Sequence, residues 1–138
     1  MKIAIPKESI GGELRVAASQ DTVKKLTDMG ISVAVQKDAG TESEISDEMY
    51  KEAGAVLADD FSSTVDKADI ILKVLPPSAS EAKAMPKGAC LVCLMNAKSD
   101  LTAAKAVANA GITCFAMEFL PRISRAQNMD VLSSQSNL

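Results

Sequence analysis

The 138 residues contain no histidine and no tryptophan, and aromatic residues make up only 3%. Without histidine the commonest general base at neutral pH is absent, and with it every Ser-His or Cys-His nucleophile, so hydrolytic catalysis is a poor fit. Scarce aromatics leave the core to aliphatic side chains. Charge of one sign is also lacking: 15 basic residues against 18 acidic ones give a net charge of -3. That balance offers no field able to grip nucleic acid or an anionic membrane surface. Only four apolar residues separate Lys2 from Lys7, and no run approaches the length of about 20 that spans a bilayer. The sequence therefore reads as a soluble, cytoplasmic domain without direct membrane insertion. Finally, the seven glycines include no G-x-G-x-x-G. The loop that would hold a dinucleotide's pyrophosphate at a helix start is not expected here.

What is present is the material for one domain, since a chain of this length buries roughly 68% of its unfolded surface. Short apolar runs alternate with longer amphipathic stretches, the pattern of βα units. The expected fold is α/β, a doubly wound parallel sheet that is flavodoxin-like or Rossmann-like. Strands are predicted at KIAI, closed by Pro6, at ISVAV, where Ile31, Val33 and Val35 recur with period two, and at AVLA. Further strands are predicted at ADIILKVL, stopped by Pro76 and Pro77, at CLVCLM and at ITCFAM. A first helix opens at Ser19, presents Val23, Leu26 and Met29 inward and ends at Gly30. A second begins after Ser46, with Asp47 and Glu48 at its positive end, and stops at Gly54. A short one is expected around Ser80, and a last one, capped by Ser99 with Leu101, Ala104 and Val107 on one face, ends at Gly111.

Cys90, Cys93 and Cys114 each lie inside an apolar run. The Cys90/Cys93 spacing is that of redox and zinc motifs, but those need an exposed turn or helix start, so buried free thiols are expected and no metal site. From Pro121 onward the chain turns polar, holds Arg122 and Arg125 of its three arginines, and stops without a closing element. That reads either as a cut chain or as a frayed natural terminus.

The segment IPKESIGGELRVAASQDTVKKLTDMG carries Pro6, Glu8, Glu13, Arg15, Val16, Ala17, Val23, Leu26 and Gly30. At these spacings it resembles the opening signature shared by alanine dehydrogenases and the NAD-handling subunits of transhydrogenases, with Gly12 and Gln20 standing where that pattern usually has asparagine and proline. In alanine dehydrogenases the arginine matching Arg15 holds the substrate carboxylate, a task suited to a bidentate guanidinium. Pairing of Arg15 with Glu8 or Glu13 to fix its loop is the favoured structural alternative. The lysine matching Lys73 also touches substrate in alanine dehydrogenases. Here it is expected to be a solvated strand-end residue, or one whose stem snorkels over the core. CLVCLMNA matches the strand that ends in a substrate-binding histidine there, and Met95 stands in its place. A thioether cannot replace an imidazole acid or base.

The stretch PRISRAQNMDVLSSQSNL is similar over its full length to the loop that meets the nicotinamide ring in transhydrogenase NAD subunits. The resemblance implies that residues 1–138 form the single N-terminal domain of a longer subunit, with residues 121–138 as a nicotinamide-facing loop leading to an NAD-binding domain. It places Arg122, Gln127, Asp130 and Ser133 at the cofactor, and makes Gln127, Arg122 and Asp130 the catalytic set. A carboxamide offers one acceptor and two donors, which an arginine, an amide and a hydroxyl can read, while Asp130 can anchor Arg122. It further implies direct hydride transfer from NADH to NADP held by a partner subunit, with proton translocation in a membrane partner. The implied assembly is a homodimer, peripheral to the inner membrane through those partners. Direct transfer asks no side chain to exchange a proton, only that the reacting carbons be held about 3 to 3.5 Å apart in alignment. A non-catalytic interaction module and an alanine dehydrogenase fragment remain as alternatives.

Overall fold

A computed structural model describes residues 1–121. Its elements in chain order are β1 (Lys2–Ile5), α1 (Gln20–Asp28), β2 (Ser32–Gln36), α2 (Asp47–Glu52), β3 (Val56–Ala58), α3 (Phe61–Val65), β4 (Ile70–Leu72), α4 (Ala79–Ala84), β5 (Cys90–Cys93), α5 (Thr102–Asn109) and β6 (Thr113–Ala116). Among the described residues six strands form a single sheet in the order β3-β2-β1-β4-β5-β6, and every pair runs parallel. This is the doubly wound Rossmann order, and it reverses direction between β1 and β4.

The strand alternation divides two cores. Ile3, Ile5, Val33 and Val35 pack with Val23 of α1 and Tyr50 of α2 on one face. Ala4, Ile71, Leu91 and Cys93 pack with Val65, Ala82 and Val107 of α3, α4 and α5 on the other. Because both faces of β2 are covered, Ala34 is as buried as its valine neighbours, and the period-two pattern of ISVAV marks side rather than exposure.

Helix starts follow their caps. The Ser19 and Ser46 hydroxyls accept from the Thr22 and Met49 amides, as expected of residues that satisfy free N–H groups. Ser78 and Glu81 form a reciprocal capping box at α4. At α5 the expectation fails: Ser99 is not the cap, the helix begins at Thr102, and the Asp100 carboxylate takes the Thr102 amide. Leu101 consequently lies before the first turn and is 56% exposed. Met29 departs likewise, 73% exposed, because α1 ends at Asp28 and the chain swings away through Gly30 at φ +82. The strands of ADIILKVL and CLVCLM are shorter than predicted, stopping at Leu72 and Cys93. Helix α3 has no counterpart among the expected helices, being only five residues long.

Candidate functional site

In an open α/β sheet, ligands bind beyond the carboxyl ends of the strands, where the strand order reverses. Here that edge is built from the long loop after β1, the exits of β4 and β5, and the short helical turn Met117–Phe119 after β6. A cleft of about 670 Å³ opens there, with Ile10, Pro76, Pro77, Met95, Asn96 and Glu118 among its lining residues. A second, of about 490 Å³, lies beside it between Arg15, Ser43, Leu72, Val92 and Met117.

Several backbone amides at this edge are held by internal carboxylates. Glu8 accepts from the Val74 amide at 2.7 Å and the Leu75 amide at 3.2 Å. Glu118 accepts from the Met95 amide at 2.9 Å and the Ala97 amide at 3.3 Å. Burial pulls the Glu118 carboxyl upward, but its backbone N–H donors outweigh this and hold it below the ordinary carboxylate range. Hydrogen bonds from Thr102 lower Asp100 in the same way. Where a nucleotide-binding Rossmann loop offers free N–H groups to phosphates, these N–H groups already carry negative partners.

Arg15 and Glu13 form a bidentate pair, with both Nε and the terminal nitrogen at 2.8 Å from the carboxylate. The Arg15 hydrogen bonds lower Glu13, and the reciprocal bond to Glu13 raises Arg15. This is the loop-fixing arrangement expected from the sequence, with Glu13 as a hydrogen-bonded partner and the charge of Glu8 also raising Arg15.

The expectation for Lys73 is overturned. Its side chain is 0% exposed, its ammonium lies 3.3 Å from Glu8, itself 3% exposed, and 3.7 Å from Glu81. It neither sits in solvent nor snorkels, because two carboxylates, Glu8 from the loop after β1 and Glu81 from the first turn of α4, supply the partners that water would otherwise provide. Breaking such a buried pair from one side costs about 3–5 kcal/mol, since it strands the remaining charge.

Met95 is buried two residues past β5 and borders the larger cleft, so the position presents a thioether to any ligand there. Cys93 and Cys114 are free thiols on the neighbouring strands β5 and β6. Hydrogen bonding with Cys114 and burial push the Cys93 thiol far up, which keeps it protonated and unreactive. Among the described residues no group of three or more His, Cys, Asp or Glu is placed to hold a metal ion, and no helix is long and apolar enough to cross a membrane.

Arg122, Gln127, Asp130 and Ser133 lie outside the described residues. Sequence reasoning missed the roles of Glu8, Glu81 and Glu118 in holding the edge. The Ser78–Glu81 spacing is a legible capping signal, whereas Glu118 carries none, its amide partners lying 21 and 23 residues back.

The sequence model of the family described as "Alanine dehydrogenase/PNT, N-terminal domain" matches residues 4–138. The chain is 43% identical to an NAD(P) transhydrogenase subunit alpha polypeptide of Rhodospirillum rubrum, an alignment that covers 100% of this chain and 37% of that relative. It is 36% identical to an alanine dehydrogenase of Halomonas elongata, over 86% of this chain and 32% of that protein. The solved transhydrogenase from Sinorhizobium meliloti superposes with a TM-score of 0.94 at 45% identity, over 99% of this chain and 41% of that one. The chain thus spans well under half the length of the relatives it matches.

Proposed function

From the premise that the chain belongs to the alanine dehydrogenase/PNT N-terminal domain family, we propose that it serves as the N-terminal domain of an NAD(P) transhydrogenase alpha subunit. In this reading it walls one side of a site where NADH passes hydride directly to NADP. The observation that carries the choice within the family is Met95. Alanine dehydrogenases place a histidine at the matching strand end, and this chain offers a buried thioether and contains no histidine at all. The two other positions that would serve an amino acid dehydrogenase are already engaged, Arg15 by Glu13 and Lys73 by Glu8 and Glu81. Likeness to transhydrogenases over the whole chain supports the same choice.

The reading assigns residues 121–138 to a loop facing the nicotinamide, with Gln127 reaching between the two rings, Arg122 and Ser133 reading the carboxamide, and Asp130 orienting Arg122. NAD is held chiefly by a further domain of the subunit and NADP by a partner subunit, while a membrane partner couples the transfer to proton movement. The subunit is a homodimer docked on that membrane assembly at the cytoplasmic side. Bound NADH supplies the hydride, and the chain's own residues contribute alignment alone. The larger cleft suits this division of labour, since the Leu75, Ser78, Met95 and Thr102 amides at its wall are taken by carboxylates and a pyrophosphate would meet the charges of Glu118 and Asp100.

The test is to assay the native protein with its partners for hydride transfer from NADH to oxidised NADP, and separately for reductive amination of pyruvate. Transfer between the two nucleotides without alanine formation is expected; alanine formation overturns the proposal.

A further inference from the structure

Lys73 is the first residue after β4, and its backbone N–H is anchored to the Val92 carbonyl of β5 at 3.0 Å. Its fully buried side chain carries the ammonium to Glu8, in the loop after β1, and to Glu81, in the first turn of α4. Each carboxylate is also tied to backbone: Glu8 to the Val74 and Leu75 amides, Glu81 to the Ser78 amide at 3.0 Å. One cation thus joins three segments that meet where the strand order reverses. The residues flanking these ties, Ser9 and Ile10 after Glu8 and Pro76, Pro77 and Ser78 before Glu81, line the larger cleft.

We propose that Lys73 is a positioning residue, a buried ammonium that holds the β1 loop and the start of α4 at a fixed separation and thereby sets the shape of the cleft wall. It acts through Glu8 and Glu81, whose carboxylates would repel each other across a low-dielectric interior if the ammonium were removed. An apolar side chain of similar size would fill the space and still leave both charges unpaired, so the two segments would part to admit water. The kinetic consequence rests on the transhydrogenase reading, whereas the mechanical one stands without it.

The decisive comparison is Lys73→Met against Lys73→Met/Glu81→Gln in the native protein, assembled as it occurs in the cell, since glutamine at 81 keeps an oxygen for the Ser78 amide whereas Glu8 uses both of its oxygens on the Val74 and Leu75 amides. Hydrogen exchange at the Val74, Leu75 and Ser78 amides is expected to accelerate at least tenfold, and in concert, in the single variant. It should return to within threefold of the parent in the double variant, whose cluster has lost one surplus charge. Hydride transfer should follow: kcat falls at least tenfold in K73M with KM for NADH within threefold, and recovers in the double variant. Unchanged exchange in K73M, or a double variant as impaired as the single one, overturns the proposal. Should K73M fail to fold, a folded double variant with near-parental exchange supports the proposal and an unfolded one overturns it. A parent that transfers no hydride removes the transhydrogenase reading alone, because the exchange rates still decide the role of Lys73.

Discussion

The Tyr50 hydroxyl donates a 2.7 Å hydrogen bond to the carbonyl of Ala18, so α2 is tied to the end of the loop that carries Arg15. The ring is fully buried, and burial, assisted by Asp47, pushes the phenol up to about 12. Tyr50→Phe keeps the packing and strands the Ala18 carbonyl. Unfolding free energy from urea titration should fall by about 1–3 kcal/mol, the desolvation penalty of one unsatisfied buried acceptor. A loss below a few tenths would show that water reaches the carbonyl.

Gly40 makes a steric prediction on the same core. A Cβ there would sit 2.7 Å from the Ile45 carbonyl oxygen and 2.8 Å from the Tyr50 ring, although the backbone itself is ordinary. Gly40→Ala should therefore destabilise by about 1–3 kcal/mol through overpacking. Gly40→Ala in a Tyr50→Leu background should cost less, because one of the two close neighbours is gone. Equal costs in the two backgrounds would exclude the ring as the obstacle.

These contacts mark what is legible in the sequence and what is not. Capping serines and helix-ending glycines are local signals, and Ser19, Ser46, Gly30, Gly54 and Gly111 sit where the sequence places them, the three glycines all at positive φ. The Arg15–Glu13 pair is two residues apart and foreseeable for the same reason. Lys73 and Glu8 are 65 residues apart and meet only because β4 pairs with β1. No periodicity reports such a meeting, and a lysine after a strand reads as solvated until its partners arrive. Met29 and Leu101 depart from expectation for a different cause: each lies one residue outside a helix whose end is set by a glycine or by an unforeseen aspartate cap.

Glu118 supplies a pH dependence. Its carboxyl titrates lower in the folded protein than its ordinary value of 4.5, so the bonds to the Met95 and Ala97 amides add stability above that value. The contribution fades as pH falls from 4.5 through the lower folded value. Glu118→Gln removes the ionisation while keeping an acceptor. The difference in urea midpoint between parent and variant should be constant from neutrality down to about pH 4.5 and shrink below it. A difference that grows on acidification would contradict the assigned shift.

Pyruvate offers a test of the Arg15 region. A substrate carboxylate would compete for a guanidinium that Glu13 already holds through two 2.8 Å bonds, and would find no imidazole at Met95. Calorimetric titration with pyruvate should give no heat above dilution. Saturable heat that disappears in Arg15→Lys would show that the guanidinium exchanges partners, since lysine cannot reproduce the fork.

The strongest demand falls on Gln127 and Arg122. If direct transfer needs alignment and no proton exchange, truncating a ring-positioning side chain should leave binding nearly intact and damage the chemical step, because the lost interaction matters where the reacting carbons must align. Gln127→Ala or Arg122→Ala, made in the native protein with its partners, should lower single-turnover hydride transfer by about 10²-fold, the scale on which a misplacement near 1 Å acts. NADH affinity should stay within a few fold. Transfer that changes little with pH near neutrality would accompany this, since no side chain in the step titrates there. The opposite pattern, affinity lost and single-turnover rates preserved, would mean that these residues hold the dinucleotide rather than align its ring, and the positioning role would then have to be withdrawn.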